Sequence, residues 1–285
     1  MADTYAGGEL LAEVIRSGFV EGYHRGSVAV LDAAGRPVAA AGDVTGPMFP
    51  RSANKPMQAV GMLRAGLVLA DPAELALAAA SHRGEPMHLE RVRAMLRAGG
   101  LSEDDLVCPG GVLSNCSGKH AAMLRTCQVA GWPINGYERA DHPLQLALEA
   151  TVEELAGEPA GAVGVDGCGA AVFALSLVAL AGAYLRLVGA PPGTPEAAVV
   201  DAMRAHPELV SGTGEPEARL MRELPGALVK GGAEGVLAVA LPGVGAVTMK
   251  IDDGAARPLM PVLASALPRL GVTADVPEGA IRVVW

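Results

Sequence analysis

Three observations predict an α+β fold for this chain. Short apolar runs alternate with polar residues at its N-terminal end, apolar residues recur at helical spacing through its middle, and strand-like runs return near its C-terminus. Exposed sheet edges and one-sided apolar strands are costly alone, so the two ends are expected to pair into one antiparallel sheet carrying a large central helical cluster. No internal repeat, linker or low-complexity tract divides the sequence. The expectation is a single domain over 1–285, with one lobe formed by 1–50 plus 225–285 and a mainly helical lobe over 51–224.

The elements can be placed in order. LLAEVIRSG and GSVAVLDAAGRPVAAAG read as hairpin strands, with turns expected at Glu21-Gly22 and Ala34-Gly35-Arg36. From Ser52 to about His206 the segments MQAVGMLRAG, AELALAAASH, PMHLERVRAMLRAGG, GKHAAMLRTCQVAG, PLQLALEATVEELAG and PEAAVVDAMRAH carry helical periodicity. The uncharged run Gly167–Leu185 approaches the length of a bilayer span. It is rich in Ala and Gly instead of Leu and Ile and lacks flanking Lys, Arg or Trp anchors apart from Arg186, so a buried helix from about Ala171 is the better reading. ALVKG, GVLAVALPG and GAVTMKID then read as strands, RPLMPVLASALPRL as a helix and IRVVW as a last strand.

With 285 residues, 51% of them hydrophobic, the chain can bury a sizeable core. The formal net charge of -9 disfavours nucleic acid and anionic membrane surfaces, which select clustered Lys and Arg, and favours a small-molecule partner. MADTYAGGELLAEVIRSG shows no basic region leading into an apolar stretch, so the expected compartment is the cytoplasm. Cys108, Cys116, Cys127 and Cys168 contain no CxxC pair and read as buried thiols or metal ligands.

Four clusters could carry chemistry. In RSANKP, Ser52 and Lys55 share one face at the start of a helix, where a desolvated lysine could deprotonate the serine; Ser52 could equally serve as a helix cap. In AASHRGEP, Ser81 follows an apolar helix, either as part of a solvated turn or as a partner for a lysine from the returning strands. Lys250, ending an apolar strand, is the candidate for that partner. SNCSGKHAAML places Cys116, Lys119 and His120 at a helix start. It is not a phosphate loop, because Leu113 stands where that motif requires glycine and His120 where it requires a hydroxyl residue. In GVDGCGAA two glycines flank Cys168. Cys116 and Cys168 could bind a transition metal as thiolates or remain ordinary buried cysteines.

Taken together and in this order, RSANKP, SHRGEP, NCSGKHAAML, DGCGAA, GGAEGV and KIDDGAAR resemble the rhizobial-type asparaginase II family, whose fold is similar to that of serine β-lactamases and glutaminases. The resemblance implies two Ser-Lys tandems, Ser52 with Lys55 and Ser81 with Lys250, with Ser52 the favoured nucleophile for releasing ammonia from L-asparagine. It also implies an auxiliary zinc site at Cys116, Lys119 and Cys168, and a homodimer. Arg51 and Asp166 suit the carboxylate and ammonium of the substrate, with His120 as a further polar contact; a structural ion pair is the plainer reading of the first two. The sequence departs from the family pattern at Glu215 and Pro216, in HPELVSGTGEPEARLM. Two alternatives stand beside the asparaginase reading: a β-lactamase or peptidase-like serine hydrolase, and a non-catalytic homologue that binds an amino acid or zinc.

Overall fold

The computed structural model describes residues 4–273 and 280–285; Met1–Asp3 and 274–279 lie outside the described residues. The first hairpin pairs β1 (Glu9–Arg16) with β2 (Phe19–Asp32), and β3 (Pro37–Ala41) folds back on β2. The first turn falls at Ser17-Gly18 instead of Glu21-Gly22, which lies inside β2. Val14 packs against Gly22 there, and the register shift between Val14 and Ile15 absorbs the bend. The second turn, at Ala33-Ala34-Gly35, is where the sequence puts it.

A 3-10 turn, Arg51–Asn54, leads directly into α1 (Lys55–Arg64). Then follow α2 (Pro72–Ala78), α3 (Pro86–Ala98), α4 (Ser117–Ala130) and α5 (Pro143–Ala156). Proline at the first position of α2, α3 and α5 costs no hydrogen bond, and Asp71 caps α2 by accepting from Ala73 N–H at 2.9 Å. The uncharged run is not helical from Ala171: β4 (Val163–Val165) pairs with β5 (Ala171–Phe173), and only then does α6 (Leu177–Val188) begin. The Asp166–Gly169 turn between β4 and β5 ties Ala171 into this hairpin, and Ser176 caps α6 by accepting from Ala179 N–H. The helical layer continues through α7 (Pro195–Ala205), α8 (Pro207–Val210) and α9 (Pro216–Glu223).

The returning strands are β6 (Leu228–Gly232), β7 (Val236–Leu241) and β8 (Gly245–Ile251); α10 (Leu259–Ala266) and β9 (Ile281–Val283) follow. Among the described residues the main sheet runs β6-β7-β8-β2-β1-β9, with β3 on β2, and the pairings within it are antiparallel. The pairing of β8 with β2, from Asp32↔Gly245 to Gly26↔Ile251, joins the two chain ends as the sequence predicts.

Helix α6 couples this sheet to the helical layer. Its residues Leu177, Leu180, Ala181 and Tyr184 are fully buried, each leucine contributing roughly 1.5–3 kcal/mol of gross burial energy. Thr248 of β8 donates to Leu177 O at 2.8 Å, and Tyr184 donates its hydroxyl to Ala53 O at 2.7 Å. The same helix therefore touches the central sheet and the 3-10 turn that carries Ser52. Helix α4 crosses α2 with almost no clearance, since a Cβ on Gly118 would lie 2.5 Å from Leu77 O. Backbone cannot yield as a flexible side chain can. Gly118→Ala is therefore expected to destabilise the fold by about 1–3 kcal/mol, lowering the thermal midpoint by roughly 2–4 °C per kcal/mol; calorimetry of the purified variant beside wild type would measure it.

Candidate active site

The two lysines nearest Ser81 come from opposite layers of the fold. Lys55, the first residue of α1, donates to Ser81 Oγ at 3.0 Å, and Lys230, in the middle of edge strand β6, reaches the same oxygen at 2.9 Å. Ser81 follows the end of α2 in an extended segment, where its backbone N–H donates to Val210 O at 2.8 Å. Both lysines are almost completely buried.

Lys250 does not take the place expected of it. Its ammonium donates to Glu234 O at 2.7 Å and to Ile251 O at 2.6 Å, holding the turn between β6 and β7, and Lys230 stands against Ser81 in its stead. Both lysines follow otherwise apolar stretches of strand. Strand order decides between them, because β6 is the edge strand that contacts the Ser52 turn while β8 is interior. The Gly-Gly after Lys230 was the available clue: a Cβ on Gly232 would lie 2.3 Å from Pro50 O, so that glycine lets β6 press directly on the turn.

Ser52 lies in that turn, three residues before Lys55, and is half-buried. Its hydroxyl makes no hydrogen bond among the described residues, whereas Ser81 is held by two amines. Lys55 is also committed elsewhere. It donates to Ala80 O in a very short contact and to Cys116 Sγ at 3.1 Å, so its three protons have three partners.

Burial lowers the Lys230 pKa to about 7, with the nearby charge of Lys55 acting in the same direction. At neutral pH this amine is poised between its two protonation states. His82, beside Ser81, is kept neutral by burial and by His88 and Lys55, with its pKa pushed down to about 3. Its Nδ1 accepts from Gly84 N–H at 3.1 Å, so Nε2 carries the proton and donates to Ser117 Oγ at 2.9 Å. That hydrogen bond ties the Ser81 segment to the start of α4.

Cys116, immediately before α4, and Cys168, in the turn between β4 and β5, form the adjoining part of the site. Lys119 donates to Cys168 Sγ at 3.2 Å. A hydrogen bond with Cys168 holds the Cys116 thiol well below its ordinary pKa, aided by the charges of Lys55 and Lys119 and opposed by burial. The same bond raises Cys168. Burial alone would lower Lys119, but its sulfur neighbours, with Cys168 accepting its hydrogen bond, outweigh it and raise the lysine. Two buried sulfurs and an amine make a donor set suited to a thiophilic divalent ion, provided that Lys119 first loses its proton. Among the described residues no three His, Cys, Asp or Glu side chains gather to compete as a metal centre.

Arg51 and Asp166 meet, but chiefly each other. Arg51 Nε donates to Asp166 Oδ1 at 2.6 Å, and Gly167 N–H donates to the same oxygen at 2.8 Å. Burial would raise the Asp166 carboxyl, yet these bonds together with the Lys119 and Arg51 charges hold it below the usual range. His120 is fully buried against Tyr137, with its Nδ1 2.8 Å from the phenol oxygen, and burial with the two nearby lysines keeps the imidazole neutral. Its Nε2 has no hydrogen-bond partner among the described residues. The segment that departs from the family pattern is docked onto the Ser81 loop. Arg83 donates to Glu215 at 2.7 Å, and Thr213 donates to Glu85 through its backbone N–H at 2.8 Å and its hydroxyl at 2.7 Å.

Solved structures of similar shape include Mglu in its native form, at 16% identity and TM-score 0.52, covering 86% of this chain and 65% of that one. The chain thus spans just under two thirds of Mglu. A β-lactamase from Mycobacterium bovis superposes at 16% identity and TM-score 0.51, over 87% of this chain and 95% of its own. At these identities the two establish the fold. No individually curated protein matches the sequence. The family model described as L-asparaginase II matches residues 12–282, nearly the full length, and the chain belongs to the L-asparaginase II family.

Proposed function

We propose that the protein is an amidohydrolase that releases ammonia from L-asparagine through an acyl-enzyme on Ser52. The observation that carries this reading is the hydrogen-bonded chain Lys55–Ser81–Lys230, in which Lys55 follows directly on the turn that carries Ser52, whose hydroxyl has no hydrogen-bond partner among the described residues. Two ammonium ions are unfavourable so close together in a buried site, so the pair carries one excess proton at neutral pH. When Lys55 passes a proton to Ser81 Oγ and Ser81 passes its own to Lys230, Lys55 becomes the amine and Lys230 the ammonium. Lys55 then accepts the Ser52 proton as Ser52 Oγ attacks the side-chain amide carbon. Proton return through the same chain to the departing nitrogen releases ammonia and leaves an aspartyl ester on Ser52. Water, deprotonated by the same amine, hydrolyses that ester to L-aspartate and restores Ser52.

Cys116, Lys119 and Cys168 would hold zinc, which would supply positive charge beside the pocket and fix the thiols as thiolates. No step of the acyl transfer needs it. With Cys116 already bonded to Lys55, its role is to organise the site around that lysine.

A second reading has one observation in its favour: Ser81, not Ser52, is the hydroxyl that touches both amines. It makes Ser81 the nucleophile and Lys230 its base. Ammonia release from L-asparagine by wild type, Ser52→Ala and Ser81→Ala, with mass spectrometry of protein quenched during turnover, separates the two. Under the Ser52 mechanism, Ser52→Ala lowers kcat/KM by about 10³-fold or more and abolishes the ester adduct. An active Ser52→Ala variant that still forms the adduct would reverse the assignment.

The acid limb of the pH profile follows from Lys230. Its value in the folded protein is lowered from the ordinary lysine range to about 7, so the amine needed to start proton transfer disappears as pH falls. Accordingly kcat/KM should rise with unit slope through about pH 7 and then level, and Lys230→Met should cost about 10²- to 10⁴-fold in turnover. A flat profile between pH 5.5 and 8 would remove Lys230 from the mechanism. For the metal, purified protein is expected to contain near-stoichiometric zinc by elemental analysis, and Cys116→Ala and Cys168→Ala to lose it; unchanged zinc in Cys168→Ala would refute that ligand set.

A further inference from the structure

We propose that Glu234 is a specificity-determining residue, binding the α-ammonium of an amino-acid amide while Arg51 takes its α-carboxylate. This rests on the amidohydrolase reading of the Ser52 site and names the head group that the site selects.

Among the described residues three side-chain-bearing residues have positive φ: Ser17 at 50°, Arg51 at 51° and Glu234 at 60°. Ser17 is explained by the tight first hairpin, where Gly18 follows it. Arg51 and Glu234 lie on segments far apart in sequence, yet face each other, with Arg51 Nη1 3.9 Å from Glu234 Oε1. Left-handed backbone costs free energy in residues with a Cβ and persists where the surroundings hold it. Both conformations are held. The turn carrying Glu234 is anchored by Lys250 on the Glu234 carbonyl, and β6 presses on the turn that carries Arg51 and Ser52 because Gly232 admits Pro50 O.

The charges then distinguish the two carboxylates around Arg51. Asp166 is 11% exposed and already accepts from Arg51 Nε and Gly167 N–H. Glu234 is 65% exposed, and its one ion pair among the described residues, at 3.9 Å, is longer than a hydrogen bond. Asp166 is thus satisfied by Arg51, Gly167 and the nearby Lys119 charge, whereas Glu234 is the carboxylate with room to bind. A ligand bearing an ammonium next to a carboxylate complements this arrangement: the ammonium meets Glu234, and the carboxylate meets the Arg51 nitrogens not used by Asp166. Lys250 acts here as a positioning residue, through the main chain of Glu234.

The test compares L-asparagine with succinamate, which has the same amide and carboxylate but no ammonium, in wild type, Glu234→Gln and Glu234→Asp. Loss of a charge-assisted contact is expected to lower kcat/KM for L-asparagine about 10- to 100-fold more than for succinamate, mainly through KM, with partial recovery in Glu234→Asp. Equal losses on the two substrates, or none, overturn the proposal. Calorimetry keeps it testable apart from catalysis. If wild type hydrolyses neither amide, the amidohydrolase reading fails, while Glu234→Gln should still weaken binding of L-aspartate more than that of succinate. Unchanged discrimination between those two ligands, or no binding of either to wild type, overturns the head-group assignment itself.

Discussion

Two buried lysines converge on one serine hydroxyl, and the rest of the site is arranged around that contact. An isolated buried ammonium costs several kcal/mol, and two within reach of a single oxygen repel each other as well. The structure meets this cost in two ways. One lysine is saturated with acceptors, including a thiol whose pKa is low, while the other is driven toward its neutral form. The contact also joins the layers: Lys55 belongs to the helical layer and Lys230 to the sheet, so it forms only when the two are correctly docked. The close approach at Gly232 and the hydrogen bond from Tyr184 to Ala53 O maintain that docking.

Polar contacts continue outward from this centre. Lys55 touches Cys116, the neighbouring Cys168 accepts from Lys119, and Asp166 feels the Lys119 charge while bonded to Arg51. Each of these buried cations thus has an acceptor beside it, as groups in low dielectric require.

The sequence made most of this architecture legible, because the periodicities are strong and the helix starts carry proline or a polar cap. The six helical segments read from it correspond to α1 to α5 and α7, and the three returning runs to β6, β7 and β8. What escaped depended on tertiary context. The run from Gly167 is apolar enough to look helical throughout, but the Asp166–Gly169 turn commits its first part to a hairpin. Short α9 has a clear apolar face, Ala218, Leu220 and Met221, but its eight residues span too few turns for the period to stand out in sequence. Lys230 and Lys250 both follow apolar strand residues, and apart from the Gly-Gly after Lys230 it is strand order that decides which one meets Ser81. Ser52, Lys55, Ser81, Cys116, Lys119 and Cys168 could be singled out as residue types at suggestive spacings. That Arg51 and Asp166 would satisfy each other could not be read from spacing across so many residues.

The departure at Glu215 has a consistent physical place in this scheme. Ser81 can bridge two amines only if its extended segment is held still, and little regular structure does so; its own backbone N–H is bonded to Val210, at the end of α8. The loop that follows α8 supplies the remaining restraint, through Thr213 on Glu85 and Glu215 on Arg83. A glutamate at 215 thus meets an arginine at 83 across the two loops. The pair is partly exposed, so its net contribution to stability is small, about 0–1 kcal/mol. Its effect is geometric: two short segments, neither able to hold a conformation alone, fix each other beside the hydroxyl on which the lysines converge. A residue that looks like a loss when set against a family pattern is, in this chain, one half of a local pairing.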